Sequence, residues 1–218
     1  MGRVLDAPGA RVAASLALAA LFAGCSAVDR SRSLSDPAVP PKTIAQQVCS
    51  LCHGMDGNST SPNFPRLAGQ SAPYLAKQLR DFKGHNRLDP PGPEFMWGIS
   101  RSLSDDQVRG LADYFSSQAV QPNNAGDPRL AAEGEKIYKN GIPSRNIPAC
   151  ATCHGAGGEG TADFPRLAGQ HSPYVIRELQ SFQRTGERPA PLMEGVSHDL
   201  SAENIAAVAN FVQGMGRP

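Results

Sequence analysis

Cys49-Ser50-Leu51-Cys52-His53 and Cys150-Ala151-Thr152-Cys153-His154 are two copies of one pattern, and their reading decides the fold. Cys-x-x-Cys-His is the attachment pattern of c-type haem. The chemistry sets the spacing. Two thiols add across the two vinyl groups of one porphyrin, and a single helical turn presents both. The adjacent His lies under the iron as its proximal ligand. Two copies imply two haem c groups, held through Cys49 with Cys52 and Cys150 with Cys153, with His53 and His154 on iron. Two rival readings are weaker. One zinc ion shared by the pairs would leave each His without a role and would span a loop far longer than a zinc ribbon's. A thioredoxin-like pair needs a strand–helix setting, and no β-rich stretch precedes either copy.

The rest of the chain agrees with cofactor-built domains. It has 218 residues, 40% hydrophobic and only 6% aromatic, with 22 Gly and 19 Pro. Halves of about 90 residues bury limited apolar surface unaided, and a covalent porphyrin would complete each core. Arg3 and Arg11 flank a basic start, and 12–23 is an apolar run too short to span a bilayer and suited to an export signal. The run ends Leu21-Phe22-Ala23-Gly24-Cys25. This resembles a bacterial lipobox with Cys25 as the lipidated mature N-terminus, although Phe22 stands where Leu is usual. Acyl chains there would hold the protein at a membrane surface; the alternative is plain cleavage near Ala27. Without 1–25, basic and acidic side chains balance, and no basic stripe argues for nucleic acid. Four of the five cysteines belong to haem and the fifth to the signal, so none remains for a disulfide.

Self-comparison shows a duplication. Phe64-Pro65-Arg66-Leu67-Ala68-Gly69-Gln70 recurs as Phe164-Pro165-Arg166-Leu167-Ala168-Gly169-Gln170, and Pro73-Tyr74 as Pro173-Tyr174. Met96 with Leu103-Ser104 matches Met193 with Leu200-Ser201. The expected organisation is 1–25 signal, 26–41 flexible tether, 42–120 first domain, 121–126 linker and 127–218 second domain, with Asp127-Pro128 opening a helix as cap and first turn. Leu75, Leu79 and Phe82 predict a helix ending at Gly84, and Val175, Leu179 and Phe182 its counterpart ending at Gly186. Ser104-Asp105-Asp106-Gln107 predicts a capping box, with Leu103 and Val108 as a staple. Val108, Leu111, Ala112 and Phe115 form the buried stripe of that helix. Ser201 caps its repeat, whose stripe is Ile205, Val208, Ala209 and Val212.

The chain resembles the dihaem cytochrome c4 family, over about residues 43–218. The resemblance implies an all-α fold of two tandem class I cytochrome c domains, each a small helical fold around covalent haem. One departure stands out. Gly134 and Tyr138 in the helix before Cys150 suit close packing on the last helix, whereas 43–48 has neither Gly nor an aromatic.

A sixth iron ligand separates a carrier from an enzyme. Met96 lies 43 residues after His53, and Met193 lies 39 after His154, each one short loop before the final helix. A soft, neutral thioether favours ferrous iron and raises the potential. The competing role of a lone Met is core filler. His85, His171 and His198 lack counterparts in the other half and read as solvated surface groups. The family resemblance further implies that Pro65 and Pro165 accept the proximal His Nδ1 proton. It also makes Arg66, Arg166, Tyr74 and Tyr174 candidate propionate partners, against solvated roles for the arginines and helix packing for the tyrosines.

In function, the resemblance implies a periplasmic electron carrier with redox-protein partners, taking electrons from a quinol-oxidising complex and passing them to a terminal oxidase or reductase. The second reading is an electron-accepting subunit of a dehydrogenase, such as a sulfide-oxidising flavoprotein. A dihaem enzyme needs an open sixth site or a Cys ligand, and neither is offered here.

Overall fold

The structure, a computed structural model, describes residues 33–90, 92–161, 163–184 and 186–216. The signal, Cys25 and the tether up to residue 32 lie outside the described residues. Helices dominate, and among the described residues the sole β feature is an isolated bridge between Ile142 and Ile147. No helix of the described residues is long and apolar enough to cross a membrane.

The first domain comprises α1 (Pro41–Ile44), a π-helical turn (Ala45–Cys49), α2 (Ser50–His53), α3 (Ala72–Lys83), a second π-helical stretch (Gly92–Met96), α4 (Trp97–Ser100) and α5 (Asp105–Ser116). The second comprises α6 (Pro128–Asn140), α7 (Ala151–His154), α8 (Ser172–Gln183), α9 (Pro191–Ser197) and α10 (Ala202–Gly214), with a 3-10 turn at Pro143–Arg145. Each has its own apolar core. Ile44, Leu75, Leu103, Val108, Leu111 and Phe115 pack in one; Ile137, Tyr138, Leu179, Ile205, Val208 and Val212 pack in the other.

Local signals account for the helix ends. Ser104 and Gln107 form a complete capping box on α5, and Ser201 with Asn204 forms one on α10. Asp127 caps α6 and Pro128 comes directly after it. Gly84 ends α3, but α8 stops at Gln183 with Arg184 as its cap, so Gly186 lies beyond the helix rather than on its end.

The domains differ at the predicted place. In the second, Gly134 lies so close to α10 that a Cβ would sit 2.1 Å from the Ala207 carbonyl oxygen. In the first, the glycine has moved to the opposite helix: a Cβ on Gly110 of α5 would meet Pro41. Gly110 occupies the repeat position of Ala207. The short α1 therefore achieves close contact from the other side. The 26–41 stretch is no free tether over its described part. Val39 is buried, and Gln107 Nε2 donates to the carbonyls of Asp36 (2.9 Å) and Val39 (3.2 Å). The wrap substitutes for the longer first helix that this domain lacks.

Candidate functional site

Each pair of cysteines sits on one helical turn, with no disulfide among the described residues. Cys49 closes the first π-helical turn, and Cys52 with His53 lies on α2; Cys150 caps α7, which carries Cys153 and His154. After each His the backbone turns at Gly54 (φ +81°) and Gly155 (φ +84°), a region that favours glycine. The loop then doubles back. The amides of Leu67 and Ala68 donate to the Gly57 carbonyl, and those of Leu167 and Ala168 to the Gly158 carbonyl. This brings each proline carbonyl against its histidine: His53 Nδ1 to Pro65 O and His154 Nδ1 to Pro165 O, both 2.9 Å. A carbonyl only accepts, so Nδ1 carries the proton in both rings. Nε2 is left with its lone pair and no hydrogen-bond partner among the described residues.

Burial holds both imidazoles below their ordinary pKa, with the proline carbonyl pulling the other way. Both are thus neutral donors, as a metal ligand must be. Burial likewise pushes the Cys49 and Cys150 thiols up to about 11. Phe64 packs edge-on to His53 at 6.2 Å, and Phe164 to His154 at 6.1 Å. Phe64 also touches Phe95, the neighbour of Met96, at 6.3 Å. Met96 and Met193 are both half-buried, on matched segments between α3 and α5 and between α8 and α10.

Two tyrosines tie the haem motifs to the frame, from opposite helices. Tyr138 of α6 is fully buried and donates to the Gly155 carbonyl at 2.6 Å. In the first domain Tyr114 of α5 donates to the Met55 carbonyl at 2.9 Å. The missing aromatic of 43–48 is thus replaced from the last helix.

The duplicated heptapeptide has a second use that the sequence reading missed: it is the seam between the domains. Gln70 Oε1 accepts from the Arg166 amide (2.7 Å) and its Nε2 donates to the Arg166 carbonyl (2.9 Å). Gln170 does the same to Arg66, at 2.9 Å each way. A pseudo-twofold contact requires the same patch on both partners, and an identical block in both halves is the signal that could have revealed it. Arg66 corrects an expectation. Its guanidinium donates to Gly169 O, Asn58 Oδ1 and Gln121 O, so it clamps the domains together instead of standing free for a propionate. His171 corrects another. It is 6% exposed, not solvated; its Nε2 donates to Ser59 O at 2.8 Å, and its Nδ1 lies 3.3 Å from the Asn123 amide. His85 and His198 are exposed, His85 stacked on Trp97.

The residues present fit two haem groups. Among the described residues no three of His, Cys, Asp or Glu converge as a metal cluster, which removes the shared-zinc reading. Each half instead offers two thiols, one neutral imidazole with a free Nε2 and one thioether. Donors also wait for anionic groups. Arg166 Nε and Arg188 Nε are buried without partners. The Tyr74 and Tyr174 hydroxyls make no hydrogen bond among the described residues. Burial raises the Tyr174 pKa, Arg87 opposes this, and Tyr74 adds to the rise, so both tyrosines face the same charged patch between the domains. Haem propionates would supply acceptors for these donors.

Known proteins point the same way. The family model described as Cytochrome c matches residues 39–119 and 131–216. Cytochrome c4 of Stutzerimonas stutzeri is 42% identical over 180 residues, covering 77% of this chain and 84% of that protein. The same organism (strain A1501) has a thiosulfate dehydrogenase electron acceptor 35% identical over 180 residues, 79% of this chain and 81% of its own. The solved cytochrome c4 of Acidithiobacillus ferrooxidans superposes with a TM-score of 0.72 at 37% identity, covering 77% of this chain and 98% of that one. Two cytochrome c domains carry two covalently attached haem c groups, and the protein transfers electrons between redox proteins rather than catalysing a reaction of its own. The chain belongs to the dihaem cytochrome c4 family.

Proposed function

We propose that both irons are closed, His53 with Met96 and His154 with Met193, and that the chain shuttles single electrons in the bacterial periplasm. When bound, each haem supplies a ferric–ferrous couple. The chain's own part is positional. Pro65 and Pro165 fix the ring and tautomer of each imidazole and raise its basicity. The thioethers favour the ferrous state, and the loops and cores keep water from the ring face. The observation that carries this reading is the proline-locked histidine, repeated at 2.9 Å in both halves, with a half-buried methionine in the matched later segment. Arg166, Tyr74 and Tyr174 remain suited to propionates. The exported location and lipidation at Cys25 rest on the signal-like start and the lipobox-like run.

The donor is a quinol-oxidising complex and the acceptor a terminal oxidase or reductase. A second reading is favoured by the 35% identical thiosulfate dehydrogenase electron acceptor: the chain would take electrons from a sulfur-compound dehydrogenase. Absorption spectroscopy of the oxidised holoprotein tests the ligation. The far-red methionine-to-ferric-iron band should appear at two-haem strength, and cyanide should bind slowly at both irons. A missing band with rapid cyanide binding at either iron would refute it. Stopped-flow reduction by a purified thiosulfate dehydrogenase, against a quinol-oxidising complex, decides between the donors.

A further inference from the structure

The segments that carry Met96 and Met193 are held in different ways. In the first domain everything hangs on Arg87, which is 3% exposed. Its Nε and Nη2 donate to Asp89 at 2.9 and 2.5 Å, and its Nη1 to Gln78 at 2.8 Å. Its backbone carbonyl accepts the Trp97 indole N–H at 2.9 Å, from the residue directly after Met96. The Asp89 carbonyl accepts the Gly92 amide at 2.8 Å, where the π-helical stretch ending in Met96 begins. Both ends of the methionine segment are therefore tied to the Arg87–Asp89 pair. Ser100, fully buried, adds a 2.7 Å bond to the Met96 carbonyl.

The Arg87 guanidinium also lies 4.2 Å over the Phe82 ring, and a further hold on Arg87 comes from the other domain. Its Nη2 donates to both oxygens of Glu178 on α8, at 3.2 and 3.4 Å. The Leu88 amide donates to the Glu187 carbonyl at 2.8 Å. Glu178 is buried and also pairs with Arg188, whose Nη2 reaches back to Gln78 of the first domain at 2.9 Å. Two guanidiniums and two carboxylates thus close a neutral buried cluster across the seam. The second methionine lacks this brace. Arg188 stands where Arg87 does, but Pro189-Ala190 replaces Leu88-Asp89 and Glu194 replaces Trp97.

We propose that Glu178 of the second domain positions the Met96 segment of the first, acting through Arg87, so that the sixth ligand of one haem is set by the docking of the other domain. This rests on the reading of Met96 as a ligand. The physical reason is charge burial. Two buried guanidiniums left to share the Asp89 carboxylate repel one another, and an uncompensated buried charge drives local rearrangement. Arg87 loses the carboxylate that ties its guanidinium to the second domain, and its carbonyl and Asp89 hold the methionine segment. Glu178 is a positioning residue, since its polar contacts are Arg87 and Arg188 and neither of these is read as an iron ligand.

The test uses the full chain with both haems loaded. In the ferrous protein each ligated methionine gives its own ring-current-shifted methyl resonance, and each haem its own midpoint potential. Glu178→Gln is expected to broaden or abolish the Met96 resonance and lower the first haem's potential, while the Met193 resonance persists. Glu178→Asp, which keeps the charge, restores the Met96 signal at least in part. Trp97→Phe, which removes one indole N–H and leaves the seam intact, weakens the same signal and decides the matter should Glu178→Gln fail to fold. Unchanged resonances and potentials in Glu178→Gln and Trp97→Phe overturn the proposal while the ligand reading stands. Absence of a Met96 resonance in the wild type overturns both.

Discussion

Met193 is the residue at which ligand and filler roles part most clearly. It packs against the core of the second domain, so its side chain has an apolar place whether or not it binds iron. Met193→Ala separates the two. As a ligand, its loss should lower the second haem's potential by on the order of a tenth of a volt or more, within the roughly 0.8 V that axial ligands span. The first haem should keep its spectrum, because Met96 sits on a separate segment. Spectroelectrochemical titration reads both irons at once, and a shift confined to thermal stability would make Met193 mere packing. Tyr138 offers a second case. Tyr138→Phe keeps the ring but removes the 2.6 Å bond to the Gly155 carbonyl. The expected cost is about 0.5–1.5 kcal/mol, the net worth of one hydrogen bond, since the carbonyl keeps the Gly158 amide at 3.1 Å, visible as a lowered Tm with the haem spectrum retained.

At the scale of helices, the contact between first and last helix carries the frame of each domain. Gly134→Ala sets two effects against each other. Alanine favours a helix over glycine by about 1 kcal/mol. Its Cβ, however, would lie 2.1 Å from a backbone oxygen of Ala207 and 2.7 Å from Phe211 Cβ. Backbone cannot turn aside, and overpacking costs about 1–3 kcal/mol or more. The clash wins, so chemical denaturation of the second domain should shift to lower denaturant. Ser201→Ala acts at the far end of the same helix pair: it removes the acceptor for the Asn204 amide at 3.2 Å, for a loss of about 1 kcal/mol.

The whole molecule is held at one seam where the same patch meets itself, and one histidine makes that seam sensitive to acid. Burial lowers the His171 pKa, the Ser59 carbonyl bond raises it and Arg66 lowers it further. Native His171 is therefore neutral where the undocked group would protonate at about 6.5. A depressed native pKa makes its contribution complete above that value, and the contribution declines as pH falls below it and through the lowered native pKa. Proteolysis within 121–126 should accelerate between about pH 6.5 and 5 in the wild type. His171→Asn should lose most of that pH dependence. Equal acid sensitivity in both proteins would assign the effect to other groups.

The amino-acid sequence by itself determined the two haems, the tandem all-helical domains, the capping box at Ser104 and the cap at Ser201, because each depends on residues near one another or on a pattern repeated whole; the proline-locked histidines followed from the family resemblance. Covalent attachment needs two thiols on one turn, and a cap needs a serine three residues from its partner; such arrangements can be read along a line. Only the tertiary structure decided what Arg66, His171, Gln70 and Glu178 do. Each of them meets a group roughly a hundred residues away, in the other copy. Neither periodicity nor spacing specifies which surfaces of two similar domains face each other. That choice is made by shape, by burial of apolar area and by the pairing of polar groups that docking strips of water.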